Sequence, residues 1–200
     1  MTSRTSLDEL LPVDEGQLAA LTETLAVRAG AADLVQVYYR IVDSPIGALL
    51  LAATPTGLVR VAFESEDFDA VLAQLAATVG PRILAADAPL QEAAGQLAEY
   101  FAGRRETFDL PLDHRLAHGF RLQVQQALPQ IGYGHTASYS ELATLIGRPT
   151  AVRAVGTACA TNPLPLILPC HRVLRADGGL GGYLGGTAAK AHLLELEGAA

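Results

Sequence analysis

Apolar positions near the start of the chain fall in short runs separated by turn residues. Val35-Gln36-Val37-Tyr38-Tyr39-Arg40-Ile41-Val42 reads as a strand, Asp43-Ser44-Pro45-Ile46-Gly47 as a turn, and Leu49-Leu50-Leu51-Ala52 as a second strand. Pro55-Thr56-Gly57 turns again into Leu58–Phe63, so the pattern predicts an antiparallel meander. The period then changes. Val71, Leu72, Leu75 and Val79 make a helical stripe, Pro89 to Phe101 a second, broken at Gly103-Arg104-Arg105, after which Phe108-Asp109-Leu110 returns to the sheet. Ahead of the meander, Leu18, Leu21 and Leu25 share a helical face, with Gly30 as its stop.

From His118 the pattern is of short helices and glycine turns. Phe120, Val124 and Ala127 mark a helix stopped by Pro129. Ser138-Tyr139-Ser140-Glu141 is a capping box that opens a helix to Ile146, ended by Gly147. Thr150 is placed to cap a second helix, from Ala151 to about Ala160. Two short helices joined by a glycine-containing turn outline a helix-turn-helix. The second is rich in Ala and Gly and carries one charge, Arg153. It is too bland to read base edges, but close approach plus one arginine suits backbone binding with a wedged side chain. Packed core helices fit the same pattern. The glycine loop from Asp177 to Gly186 contains Tyr183, and Thr187 is placed to cap a last helix reaching Glu197.

The pattern therefore predicts an α+β fold: a small N-terminal antiparallel sheet with helices, plus a mainly helical C-terminal domain containing a helix-turn-helix. The divisions are 1–34, an acidic helical extension; 35–111, an α+β scaffold without a catalytic constellation; and 112–200, the part that holds the helix-turn-helix and both cysteines.

Composition adds three points. Half of the 200 residues are apolar and 18% charged, which suits a globular chain. Charge is uneven: residues 1–111 carry seven Arg against sixteen Asp/Glu (−9), and residues 112–200 six Arg and one Lys against five Asp/Glu (+2). A nucleic acid would bind the second part, through few phosphates. The two cysteines, 159 and 170, make no disulfide framework and lack zinc-ligand spacing, so no metal and no cofactor is expected. No signal peptide and no run near the roughly 20 residues of a membrane span is seen, which predicts a cytoplasmic protein without membrane contact.

The candidate chemistry sits in Leu164-Pro165-Leu166-Ile167-Leu168-Pro169-Cys170-His171-Arg172-Val173, where an apolar strand or extended run ends at a proline and presents a cysteine beside a histidine. A thiol becomes a nucleophile as thiolate, which an imidazole favours. A Cys-His pair alone more often is a small buried cysteine beside a surface histidine. The neighbours narrow it: Pro169-Cys170-His171-Arg172-Val173, preceded by Asn162-Pro163 and followed by Gly182-Tyr183, resembles the active-site signature of the O6-alkylguanine-DNA alkyltransferases, with Ser138-Tyr139, Arg153-Ala154-Val155-Gly156 and Glu197 at that family's spacings. The resemblance covers about residues 37–198.

The resemblance implies that Cys170 is the alkyl acceptor, that His171 is its base through a water, and that Glu197 orients His171. Tyr139 would protonate the departing guanine. Arg153 would fill the gap left by a flipped nucleotide, with Ala151, Ala154 and Thr157 beside it on the DNA. Asn162 would hold the turn before the cysteine, and Pro169, Val173, Gly182 and Tyr183 would line the guanine pocket. The implied partner is double-stranded DNA carrying O6-alkylguanine, met in the minor groove by a monomer that reacts once. Gln125, where relatives often carry tryptophan, His135 after Gly134, and Leu184 after the pocket tyrosine depart from the pattern and bear on alkyl-group preference. A non-catalytic lesion binder and a thiol redox protein are the competing readings; the first lacks the acceptor cysteine, and the second needs a CxxC that is missing here.

Overall fold

The structure is a computed structural model that describes residues 14–199. After helix α1 (Glu15–Ala31) come strands β1 (Val37–Val42), β2 (Leu49–Thr54) and β3 (Gly57–Phe63), helix α2 (Phe68–Thr78), strand β4 (Ile83–Ala85) and helix α3 (Gln91–Phe101). The second part holds α4 (Gly119–Ala127), β5 (Ala137–Ser138), α5 (Tyr139–Leu145), α6 (Val152–Ala160), β6 (Val173–Leu174) and α7 (Gly186–Leu196).

The sheet runs β3-β2-β1-β4. The meander is antiparallel as the turns predict, but β4 adds parallel to β1, pairing Val37 with Ile83. Three residues between two helical segments were too few to show as a strand. The segment Phe108–Leu110 does not return to the sheet; only Leu112 bridges to Leu58. β2 is buried along its whole length because both sheet faces are covered. Leu50 and Ala52 pack with Val71 and Leu75 of α2, while Leu49, Leu51 and Phe63 join Leu97 and Tyr100 of α3. This second cluster continues through Val124, Leu142, Val155 and Cys170, so one apolar core supports both the sheet and the cysteine.

Helix α1 forms, capped by the Asp14 carboxylate on the N–H groups of Gly16 and Gln17, and it runs one residue past Gly30. It buries Ala26, whereas Leu18, Leu21 and Leu25 stay more than half exposed. The leucine stripe that predicted the helix is therefore not its packing face. Residues 1–13 of the predicted extension lie outside the described residues.

The helix-turn-helix appears as α5 and α6. Its capping box is formed: Ser138 Oγ accepts from Glu141 N at 3.1 Å, and Ser138 N donates to the Glu141 carboxylate at 2.6 Å. Those bonds hold the Glu141 carboxyl below its ordinary range. Two other predicted caps are not used. α6 starts one residue later than expected, with Ala151 at its N-cap and no side-chain bond from Thr150, because Ala151 N closes a turn onto Arg148 O. α7 starts at Gly186 with no bond from Thr187, which is already inside the helix.

Candidate active site

The run Leu164–Leu168 is not a strand. Leu168 N donates to Leu164 O at 2.9 Å, and Leu166 takes a left-handed φ of 72°, a conformation that costs a non-glycine residue on the order of 1 kcal/mol. Asn162, fully buried, holds this turn from within: its Nδ2 donates to Leu168 O at 2.8 Å and its Oδ1 accepts from Leu164 N at 3.1 Å. Sequence patterning cannot see a side chain substituting for ladder bonds, which is why the run looked extended. Val61 N of β3 donates to Pro163 O at 2.9 Å, so the sheet grips the same turn.

Pro169 then leads into a single 3-10 turn, Cys170–Arg172. Cys170 is 4% exposed, and burial pushes its thiol up to about 11, with a hydrogen bond from Asn162 and the Lys190 charge acting the other way. His171 is fully buried, and burial lowers its pKa against the pull of Glu197, so the ring is neutral. Its Nε2 lies 2.8 Å from Glu197 Oε1. An ionised carboxylate accepts there, which places the proton on Nε2 and the lone pair on Nδ1. Nδ1 is buried and has no protein partner among the described residues.

Glu197 is the hub. Oε1 accepts from Tyr100 Oη at 2.6 Å, from His171 Nε2 and from Arg172 Nη2 at 3.0 Å, and Oε2 accepts from Arg172 Nε at 2.8 Å. Burial alone would raise the carboxyl's pKa, but the bonds from His171, Arg172 and Tyr100 win and hold it at about 2. Arg172 is anchored in turn by Nη1 on Ile131 O at 2.7 Å, over the Tyr133 ring.

Two members of this hub were missed. Arg172 stood inside the signature but suggested no role. Tyr100 lies in the part expected to be scaffold, and its hydroxyl reaches across from α3 to the site carboxylate. Nothing distinguished Tyr100 from the apolar stripe around it.

The predicted pocket residues gather nearby. Tyr183 packs edge-on against Phe63 at 5.4 Å and against His171 at 6.3 Å, and its buried hydroxyl has no partner among the described residues. A Cβ on Gly185 would lie 2.6 Å from the Phe63 ring, so glycine is required for the loop to close over that ring. Val173 is buried and pairs with Ala137; Gly182 is exposed. Lys190, fully buried, donates to Val173 O at 2.6 Å and also to Leu180 O, which ties the acceptor strand to the loop; it too was missed. Tyr139, at the first position of α5, is half-buried, which raises its pKa, and its hydroxyl faces Gly181.

On the outer side of α6, Arg153, Ala154 and Thr157 are exposed, with Ala151 partly so. A cavity of about 370 Å³ beside them is lined by Tyr139, Ser140, Val152 and Arg175. Cys170 is 4% exposed and does not line that cavity. Among the described residues, no group of three or more His, Cys, Asp or Glu side chains is placed to hold a metal ion, and no helix is long and apolar enough to cross a membrane.

Fold and site together define a class: a protein with a buried cysteine next to a carboxylate-held imidazole, in the same part of the chain as a helix-turn-helix. Residues 119–199 match the family described as 6-O-methylguanine DNA methyltransferase, DNA binding domain, and residues 37–114 match its ribonuclease-like domain. The methylated-DNA–protein-cysteine methyltransferase of Methanosarcina barkeri is 41% identical over 160 residues, 80% of this chain and 96% of that protein. The constitutive enzyme of Bacillus subtilis is 40% identical, covering 80% of this chain and 94% of its own. The crystal structure of Mycobacterium tuberculosis OGT in complex with DNA superposes with a TM-score of 0.70 at 40% identity, over 80% of this chain and 92% of that one. The chain belongs to the 6-O-methylguanine DNA methyltransferase family.

Proposed function

We infer that this chain repairs DNA by moving the alkyl group of O6-alkylguanine onto its own Cys170, once per molecule. The observation that carries the reading is the Glu197 hub, which fixes the His171 proton on Nε2 and leaves Nδ1 as a base beside a thiol. Such a nucleophile–base–orienter set suits a thiol that is protonated at rest. In the transfer the Cys170 Sγ–carbon bond forms as the carbon–O6 bond breaks. The thiol proton goes to His171 through a water, and Tyr139 supplies the proton the leaving guanine needs. The product is a thioether that no neighbouring group can hydrolyse, so the protein is spent.

The reactive carbon lies on a base edge, so the base must leave the stack, at a cost of a few kcal/mol. Exposed Arg153, leading α6, suits the minor groove and the space the base vacates, and the small residues around it let the helix backbone approach. With Cys170 4% exposed, the site must open for the base to reach the sulfur. A monomer suffices for these steps.

The test is mass spectrometry after incubation with a duplex carrying O6-methylguanine. The expected result is one methyl per chain on Cys170, and none on Cys170→Ser, which still binds the duplex. Arg153→Ala should lose capture from duplex while keeping its reaction with free O6-benzylguanine. A methyl on Cys159, repeated turnover, or binding without labelling would each overturn the reading.

A further inference from the structure

A cleft of about 600 Å³ lies away from Cys170, between α2 of the first part and the start of α4 in the second. One wall is a single short stretch that offers nitrogen donors, Arg115, His118 and Arg121, facing Gln74 and Thr78 of α2. Arg60 also lines it, but Glu66 holds that guanidinium in an ion pair.

The charge inventory of residues 112–200 gives this stretch a meaning. Of the seven Arg and Lys there, Arg172 and Lys190 are buried in the site and Arg175 pairs with Asp177 at 3.0 Å. Arg115 spends its Nε on Asp113 at 2.7 Å, and with a side chain 43% exposed it leaves its outer nitrogens open. Among the described residues no carboxylate lies within ion-pair distance of Arg121, Arg148 or Arg153. Arg148 and Arg153 stand at the turn and start of the helix-turn-helix. Arg121, also exposed, stands at the cleft instead.

The cleft and the outer face of α6 are continuous. Arg153, Thr157, Ala160 and Thr161 follow one another at helical spacing, all exposed, and Ala160 and Thr161 also line the cleft. Eight steps of 1.5 Å span about 12 Å, the rise of three to four base pairs along a duplex axis. Across the cleft, α2 offers neutral Gln74 and Thr78 rather than Asp67 and Asp69, which lie at its other end. Helix α2 thus turns an uncharged side to this opening.

We propose that Arg115, Arg121 and His118 form a second phosphate-binding site, which holds the DNA backbone as it leaves the outer face of α6 and extends the footprint to the junction of the two parts. The site rests on the reading that this chain binds DNA. It carries no base information, so it strengthens damaged and undamaged duplex alike.

The test is duplex affinity against salt for the wild type, Arg121→Ala, Arg115→Gln and the double variant, with transfer from free O6-benzylguanine as the control. Each lost phosphate contact should lower the slope of log K against log salt by about 0.9. Between 50 and 200 mM salt the double variant should therefore lose about tenfold less affinity than the wild type. The drop should be the same with and without the lesion, and the free-base rate should not change. An unchanged slope in the double variant would overturn the site. So would a fall in free-base transfer matching the fall in binding, which would make these residues part of the fold. Failure of the underlying reading looks different: the wild type itself would neither bind duplex nor accept the alkyl group.

Discussion

Glu197→Gln tests the hub on which the proposed chemistry rests. The carboxylate accepts four hydrogen bonds from three side chains, all at 2.6 to 3.0 Å, and its own side chain is fully buried. An amide keeps one acceptor oxygen and turns an NH2 toward donors. Either Arg172 Nε or the Tyr100–His171–Arg172 Nη2 set then faces a donor, and the Arg172 charge loses its counter-ion. Breaking a buried pair from one side costs about 3 to 5 kcal/mol. The pKa gives a second measure: a drop from 4.5 to about 2, taken at 1.4 kcal/mol per unit and discounted for residual screening, is worth about 2 to 3 kcal/mol. The two agree on several kcal/mol, a large share of a domain's stability.

The sign of the pH dependence follows. The folded-state pKa of Glu197 lies below its unfolded value, so its stabilisation is complete above pH 4.5 and is lost as pH falls toward 2. Urea unfolding at pH 7 and through that window is the assay. Glu197→Gln should be about 3 kcal/mol or more less stable at pH 7 and should lack the wild type's loss of stability contributed between pH 4.5 and 2. Transfer from O6-benzylguanine should slow as well, since the His171 tautomer is no longer fixed. A variant within 1 kcal/mol of the wild type at pH 7, with an unchanged acid profile, would refute the hub.

The other predictions concern how the hub and the acceptor are held. Tyr100→Phe removes a 2.6 Å bond to a charged acceptor and should cost about 1.5 to 3 kcal/mol in urea unfolding, with a matching rise in the pH at which the Glu197 contribution is lost; no change would detach the first part from the site. Asn162→Ala orphans Leu164 N and leaves Leu168 O with the Cys170 N bond alone, and should cost about 2 kcal/mol, lowering Tm and transfer together. Gly185→Ala drives a Cβ into the Phe63 ring and should cost about 1 to 3 kcal/mol, which Phe63→Leu should partly restore. Because burial pushes Cys170 up to about 11, its reaction with iodoacetamide, followed by peptide mass, should rise about tenfold per pH unit from 7 to 10; a plateau below pH 8 would show a thiolate already formed.

How much of this was legible in the sequence depends on how local each signal is. The meander, the Ser138 capping box and the turn at Gly147 depend on residues a few positions apart, and they form as read. Signals that compete with a tertiary contact misled. Leu18, Leu21 and Leu25 have the spacing of a packing stripe, yet α1 turns Ala26 inward. Apolar spacing records that a helix is stable, not that every apolar face meets a partner. The run Leu164–Leu168 has the composition of a strand, yet Asn162 takes over its bonds and folds it into a turn with Leu166 left-handed.

The site shows the same divide at larger range. Cys170, His171 and Arg172 are adjacent in the chain, and motif spacing pointed to the first two and to Glu197. Tyr100 is 97 positions from Glu197 and reads as one more aromatic in an apolar stripe. What selects it is the sheet: Val61 holds Pro163 and Phe63 supports Tyr183, while α3 packs on the same face and so delivers the Tyr100 hydroxyl to the carboxylate. The first part is thus the surface against which the Cys170 turn, the Tyr183 loop and the hub are all set. A chain cut before residue 112 would keep every motif residue and lose the Tyr100 bond, the Val61 bond and the Phe63 contact together.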